Sequence, residues 1–221
     1  AGLRQFTGDT LVKMDALKLA LDIKSIFQSA KPMEIHGIEL VNADIYAKVA
    51  ADSQANWNIT KETTEKKEPS KFALAIQKIV LDNVNIIYKD IPGNNSAEIL
   101  GLNHKASGDF TENVVRYSSE TNIQDLSYFH GLIPYLKNAN LTNKSTIEID
   151  QAAKKSPPPD TTISLNDLEL ILNGYIQQMD KEAMSMSLDF KTENNEFKKV
   201  LSLIPAIYKN DFKTNTKSEK T

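Results

Sequence analysis

Apolar and polar positions alternate along Lys13–Ile23, where Leu17, Leu19, Leu21 and Ile23 interleave with Lys18, Ala20, Asp22 and Lys24. A period of two is the signature of a half-buried strand. Ser25–Ala30 predicts a short helical turn stopped before Pro32, because a residue preceding proline disfavours helical angles. The pattern I-x-x-I-x-L-x-N-x-x-I then occurs twice. It runs from Ile35 to Ile45 and again from Ile76 to Ile86, at a constant offset of 41 residues, with Lys48 and Lys89 following the copies. Repetition at such a period usually marks one supersecondary unit stacked beside a copy of itself.

Both copies change phase midway. Ile38 and Leu40 are even-numbered, whereas Ala43, Ile45, Ala47 and Val49 are odd; Ile79 and Leu81 are odd, whereas Val84, Ile86 and Tyr88 are even. A strand keeps one apolar face through such a change only with a bulge or a tight bend. Asn42 and Asn83 stand at the change, and asparagine tolerates left-handed backbone angles. The alternative is that each Asn starts a turn between two short strands.

Asp52–Ile59 and the charged stretch Thr60–Ser70 separate the copies, the latter reading as a loop. Glu98–Phe110 and Asn113–Gln124 predict a hairpin around Asp109–Asn113. Gln151–Asp160, with Pro157-Pro158-Pro159, is the one clear break, either a domain linker or a long loop. Leu132-Ile133-Pro134 returns as Leu203-Ile204-Pro205, and Phe197, Val200, Leu201 and Ile204 fall at helical spacing. Each of these two segments, Leu126–Leu136 and Phe197–Tyr208, is expected to form a short helix after a strand pair. The expected fold is α+β and β-rich: an elongated, curved antiparallel sheet of bulged strands with short crossing helices.

Composition narrows the function more than the fold. The 221 residues carry a net charge of −3 and no basic cluster, which argues against nucleic acid as partner. There is no cysteine, so disulfides, thiolate metal sites and cysteine nucleophiles are excluded. No apolar run approaches the roughly 20 residues that span a bilayer. The abrupt start at Ala1-Gly2-Leu3 and the polar end Lys213–Thr221 are expected of one segment, residues 1–221, cut from a longer protein.

No catalytic constellation stands out. His36, His104 and His130 are not at metal-ligand spacing, and no nucleophile elbow, zinc-protease motif, P-loop or dinucleotide fingerprint occurs. Asp90, before Ile91-Pro92-Gly93, reads as a turn-initiating residue, and Asp167 and Glu169 as a wet strand face beside Leu168 and Leu170. Trp57 reads as the anchor of its loop in preference to a ligand platform. Met184, Met186, Leu188 and Phe190 share one strand face, and they read as core before they read as an adaptable groove. No catalytic residue, metal or cofactor is expected.

Asp15–Ile26, the Ile35–Ile45 strand and the Gln54–Ile59 loop (QANWNI) together resemble the start of AsmA-family proteins. Ile79–Asp90 is similar to the family's following strand, which ends in Tyr and Asp, and Phe197–Tyr208 to its Leu-Ile-Pro helix. Ser53-Gln54-Ala55 departs from the Gly-containing turn usual there. The resemblance implies a non-enzymatic periplasmic segment, anchored in the inner membrane of a Gram-negative envelope by an N-terminal helix and supporting outer-membrane biogenesis. Larger relatives resemble chorein-type bridges that move phospholipid along a β-lined groove. Leu17, Leu19, Leu21, Ile45, Ile86 and Tyr88 are the expected lipid-contacting residues, with phospholipid or another envelope lipid as ligand. The rival expectation is an interaction module whose exposed edge strands bind envelope proteins. A glycan-modifying enzyme lacks the paired carboxylates that it needs.

Overall fold

The computed structural model describes residues 6, 8–23, 33–58, 72–108, 114–150, 155–156, 160–166, 168–178 and 184–192. Within them lie ten strands: β1 (Val12–Leu21), β2 (Met33–Val49), β3 (Phe72–Asp90), β4 (Asn95–Gly108) and β5 (Val114–His130). These are followed by β6 (Ile133–Asp150), β7 (Lys155–Ser156), β8 (Asp160–Leu165), β9 (Leu168–Gln178) and β10 (Met184–Lys191). All belong to one curved, unclosed sheet in chain order, with β7 and β8 both lodged between β6 and β9. Strands of 17 to 19 residues, as in β2, β3 and β5, reach about 55–60 Å, long for a sheet of this kind.

The two copies of the repeat are β2 and β3, and they lie side by side in parallel, the one pair in the sheet that is not antiparallel. From Gly37 onward every partner is 41 residues away, so Ile38 sits beside Ile79, Leu40 beside Leu81 and Ile45 beside Ile86. The sequence offset is therefore the strand register. This corrects the expectation of a wholly antiparallel sheet: identical residues meet in identical order only when the two copies run the same way.

Two further expectations meet the structure differently. Glu98–Gly108 and Val114–Gln124 do lie on paired antiparallel strands, β4 and β5, while the expected turn Asp109–Asn113 lies outside the described residues. Leu126–Leu136, expected as a crossing helix, is instead the end of β5, a two-residue turn at Gly131-Leu132 and the start of β6. Register shifts between Ile123 and Leu126 and between Leu126, Tyr128 and Phe129 break the period of two there, and that irregular spacing imitates a helix. Ser25–Ala30 and Phe197–Tyr208, the other expected helices, lie outside the described residues.

Asn42 and Asn83 both have left-handed backbones, with φ of 48° and 53°, so the phase change is a bend at these two residues. Gly101 in β4 (φ 62°) and Asn138 in β6 (φ 51°) continue the line across the sheet. A Cβ at Gly101 would fall within 3 Å of the Gln124 side chain, so glycine supplies both the angle and the space. Side chains tie the bends together. Asn42 Nδ2 donates to Asp15 Oδ2 at 2.8 Å, and Asn83 Nδ2 donates to Asn42 Oδ1 at 2.8 Å. Asn103 Oδ1 accepts from the Asn83 N–H at 3.1 Å, and Asn85 Oδ1 accepts from the Gly101 N–H at 2.9 Å. The Asn83 and Gly101 N–H groups at the crease thus find side-chain acceptors, as a bulge requires.

The residue after each bend is buried. Ala43, Val84, Leu102 and Ala139 follow Asn42, Asn83, Gly101 and Asn138, and all four are core. Ala43, Val84, Leu102 and Ile123 form one cluster, with Leu40, Ile45, Leu81, Ile86, Ile99, Leu126 and Leu141 packed against it. These neighbours come from both limbs of the bent strands. The sheet folds toward its apolar face, and the core is the inside of the fold.

Candidate functional site

Directly opposed residues on neighbouring strands share a face, and so do residues two apart on one strand. Starting from the core cluster, these rules trace one apolar surface across the sheet. Leu17, Leu19 and Leu21 of β1 oppose Leu40, Ile38 and Ile35 of β2. On the other side of the crease, Ile45 lies beside Ile86, and Tyr88, two residues further on, opposes Ala97. The six expected contact residues therefore lie on one face but in two groups. Leu17, Leu19 and Leu21 line one limb of the fold, and Ile45, Ile86 and Tyr88 line the other.

The two groups differ in exposure. Ile45, Ile86 and Tyr88 are half-buried, whereas Leu17 is 52% exposed and Leu19 47%. Among the described residues, no second layer packs on this face, and β1 pairs only with β2. Val12 and Met14 of β1 oppose Ile45 and Ala43, which makes the whole of β1 an apolar wall. Sequence reasoning passed over these two because the alternation of β1 itself changes phase between Met14 and Leu17.

The wall changes character along the sheet. Opposite Leu81 stands His104 of β4, and beyond it Thr121 of β5 and Asn143 of β6 continue the row. His104 Nδ1 and Thr121 Oγ1 are 2.9 Å apart, and burial holds the imidazole below its ordinary pKa. One row further out, Ser119 Oγ and Ser145 Oγ are hydrogen-bonded at 2.7 Å. The limb is hydrocarbon on β1 to β3 and hydroxyl, amide and imidazole on β4 to β6.

The other expectations resolve one by one. Asp90 ends β3 and its carboxylate accepts from the Gly93 N–H at 3.0 Å, a turn-initiating role. Leu168 is buried and Glu169 exposed, as a wet strand face requires, while Asp167 lies outside the described residues. The loop after β2 is held by Asn56, whose Nδ2 donates to Tyr46 O at 2.7 Å and whose Oδ1 accepts from the Lys48 N–H at 2.9 Å. Trp57 is 46% exposed, its ring 6.3 Å from that of Tyr88. The anchor is therefore Asn56 and not the tryptophan. Met184, Met186, Leu188 and Phe190 alternate along β10.

On the opposite face, Lys48 Nζ pairs with Asp9 at 3.2 Å within a depression of about 520 Å³ that Lys13, Tyr46 and Lys89 also line. Among the described residues no three His, Asp or Glu side chains converge as metal ligands, and no helix is long and apolar enough to cross a membrane. No protein-family model, curated protein or solved structure matches this chain.

Proposed function

We propose that this chain is a non-enzymatic segment of an AsmA-like periplasmic protein, anchored in the inner membrane and supporting outer-membrane biogenesis by holding or passing lipid along its apolar, creased face. One observation carries the reading: the apolar face is continuous from β1 to β3 on both limbs, and its β1 wall leaves Leu17, Leu19 and Leu21 exposed. An acyl chain gains about 0.8 kcal/mol per buried CH₂, so a row of aliphatic side chains holds it without specific polar contacts. Phe197–Tyr208 completes the proposed architecture as an amphipathic helix, on the strength of its 3.6-residue apolar spacing.

The test is lipid occupancy. Protein purified from a Gram-negative host should carry co-purified phospholipid by native mass spectrometry and should take up a fluorescent fatty acid. Leu17→Asp with Leu19→Asp should lower uptake at least fivefold, since charge in the wall removes the hydrocarbon surface. Absence of both bound lipid and uptake would sink the reading.

A second reading rests on β1 as an edge. Among the described residues no strand pairs with its outer side, which could accept an added strand, although Lys13 and Lys18 blunt it. Crosslinks from β1 in the envelope that capture protein and no lipid would favour this interaction module.

A further inference from the structure

Among the described residues, the large apolar side chains left exposed fall into two groups, with Ile23 and Tyr46 standing apart from both. One is β1. The other lies at a single end of the sheet, where β2 and β3 finish, β4 starts, β5 finishes and β6 starts: Trp57, Ile91, Tyr128, Leu132 and Tyr135. Leu132 is fully exposed, at 100%, on a two-residue hairpin turn. Such turns take Gly, Asn, Asp or Ser for reasons of backbone geometry, and nothing in turn chemistry calls for a leucine.

The cluster is built and held. The Gly131 N–H donates to Asn94 O at 2.7 Å, tying the turn after β5 to the turn after β3, which carries Ile91. Asn95 Oδ1 accepts from Tyr128 Oη at 2.8 Å and meets His130 Nδ1 at 2.9 Å. The Tyr135 ring stands 6.2 Å from Tyr128 and 6.5 Å from His130. Along the same rim Tyr88 opposes Ala97, which opposes Tyr128, and Trp57 packs beside Tyr88. The result is a row of Trp and Tyr rings behind two protruding aliphatic tips.

We propose that this rim inserts into the interfacial layer of a lipid bilayer, with Leu132 and Ile91 entering the acyl boundary and Trp57, Tyr128 and Tyr135 seated at headgroup depth. Three features favour a bilayer over a protein partner. The tips project outward, so a protein would need a matching recess whereas a bilayer needs none. Trp and Tyr rings, apolar in body and polar at one end, are the side chains that collect at membrane interfaces. Beside Ile91 the adjacent charges Lys89 and Asp90 balance, and no Asp, Glu, Lys or Arg lies within four positions of Leu132 in the chain, so attraction to one charged surface is not required. The inference goes beyond acyl binding in the crease and does not depend on it.

Trp57 is the only tryptophan, so its fluorescence reports this rim alone. The whole chain should co-float with phosphatidylcholine vesicles, with little dependence on salt. Trp57 emission should shift to the blue and be quenched by lipids brominated near the carbonyl end of the chain. Leu132→Asp should weaken flotation about tenfold, the order expected for a charge replacing an inserted leucine near an interface. A fully exposed turn residue is not needed for folding, and Ile91→Asp provides a second test. Uptake of a fluorescent fatty acid should be unchanged in both variants, which separates the rim from the crease. The proposal is overturned if the chain does not float. It is equally overturned if Leu132→Asp and Ile91→Asp bind vesicles as the parent does while Leu17→Asp does not, for the membrane contact would then be β1.

Discussion

Leu17 and Val84 belong to the same apolar face two strands apart, yet one is 52% exposed and the other 0%. Their chemistry is nearly the same, and so is the alternation around them. What differs is position. Val84 follows a left-handed Asn on an interior strand, so both limbs of the bent strand and both neighbouring strands close over it. Leu17 lies on a strand that, among the described residues, has a neighbour on one side only. The crease makes core, and the edge makes surface, from one kind of residue. The floor of the fold therefore answers for stability, while the β1 wall is free to answer for binding.

The largest effect should come from putting a charge at each place. Val84→Asp buries a carboxylate with no partner and should cost at least about 3 kcal/mol, or abolish folding. Leu17→Asp should cost about 1 kcal/mol, because half of that side chain is already in water. Urea unfolding measures both, and Val84→Ala, at about 2 kcal/mol, keeps the comparison measurable if the aspartate variant does not fold. Equal costs at the two sites would break the division between floor and wall.

Next come the residues that make the crease. Asn42→Ala and Asn83→Ala each place a poorer residue at positive φ and remove a shared hydrogen bond, so each should cost about 1–2 kcal/mol. Because the two side chains bond each other, the double variant should cost less than the sum, by about 0.5–1 kcal/mol. Strict additivity would mean that the ladder follows from the bend and does not help to hold it.

Smaller in stability but larger in function is the wall. Leu17→Ala and Leu19→Ala should each cost under about 1 kcal/mol, since half of each side chain is already in water. Each should weaken fatty-acid uptake about fourfold to fifteenfold, the worth of one or two lost CH₂ contacts at about 0.8 kcal/mol each. Unchanged uptake would move the binding surface off β1.

Much of this face could be read from the chain, because alternation and its phase change are local. Leu17 to Leu21, the two copies of the repeat and the Asn at each bend all follow from neighbours in sequence. The parallel pairing of β2 with β3 does not, since partner choice is a contact between distant segments. The offset of 41 nonetheless held the register in plain view. Leu126–Leu136 misled because bulges near Tyr128 replace a period of two by something closer to 3.6; Gly131 between His130 and Leu132 was the signal of a turn. The exposed rim was missed for a different reason. Trp57, Tyr128 and Tyr135 are far apart in sequence, and only the finished sheet sets them side by side.

The smallest effect tests where the apolar limb turns polar. His104 stands opposite Leu81, two residues beyond the buried Leu102, with Thr121 Oγ1 2.9 Å from its Nδ1. Burial lowers its pKa below the ordinary 6.5. The unfolded chain therefore takes up the proton first as pH falls. The contribution of neutral His104 is complete above about pH 6.5 and declines as pH drops from there through the lowered folded value, below which it changes no further. Unfolding measured from pH 7.5 to 5 should show stability falling on the acid side, with a shallower fall in His104→Gln, which keeps a hydrogen-bonding side chain and removes the titration. The group is only partly buried, so the difference should be modest and should persist in high salt, because desolvation and not a charged neighbour causes it. A variant that matches the parent across this range would show that the polar end of the limb is as wet as the surface. The crease would then exclude water only where its walls are hydrocarbon, from β1 to β3.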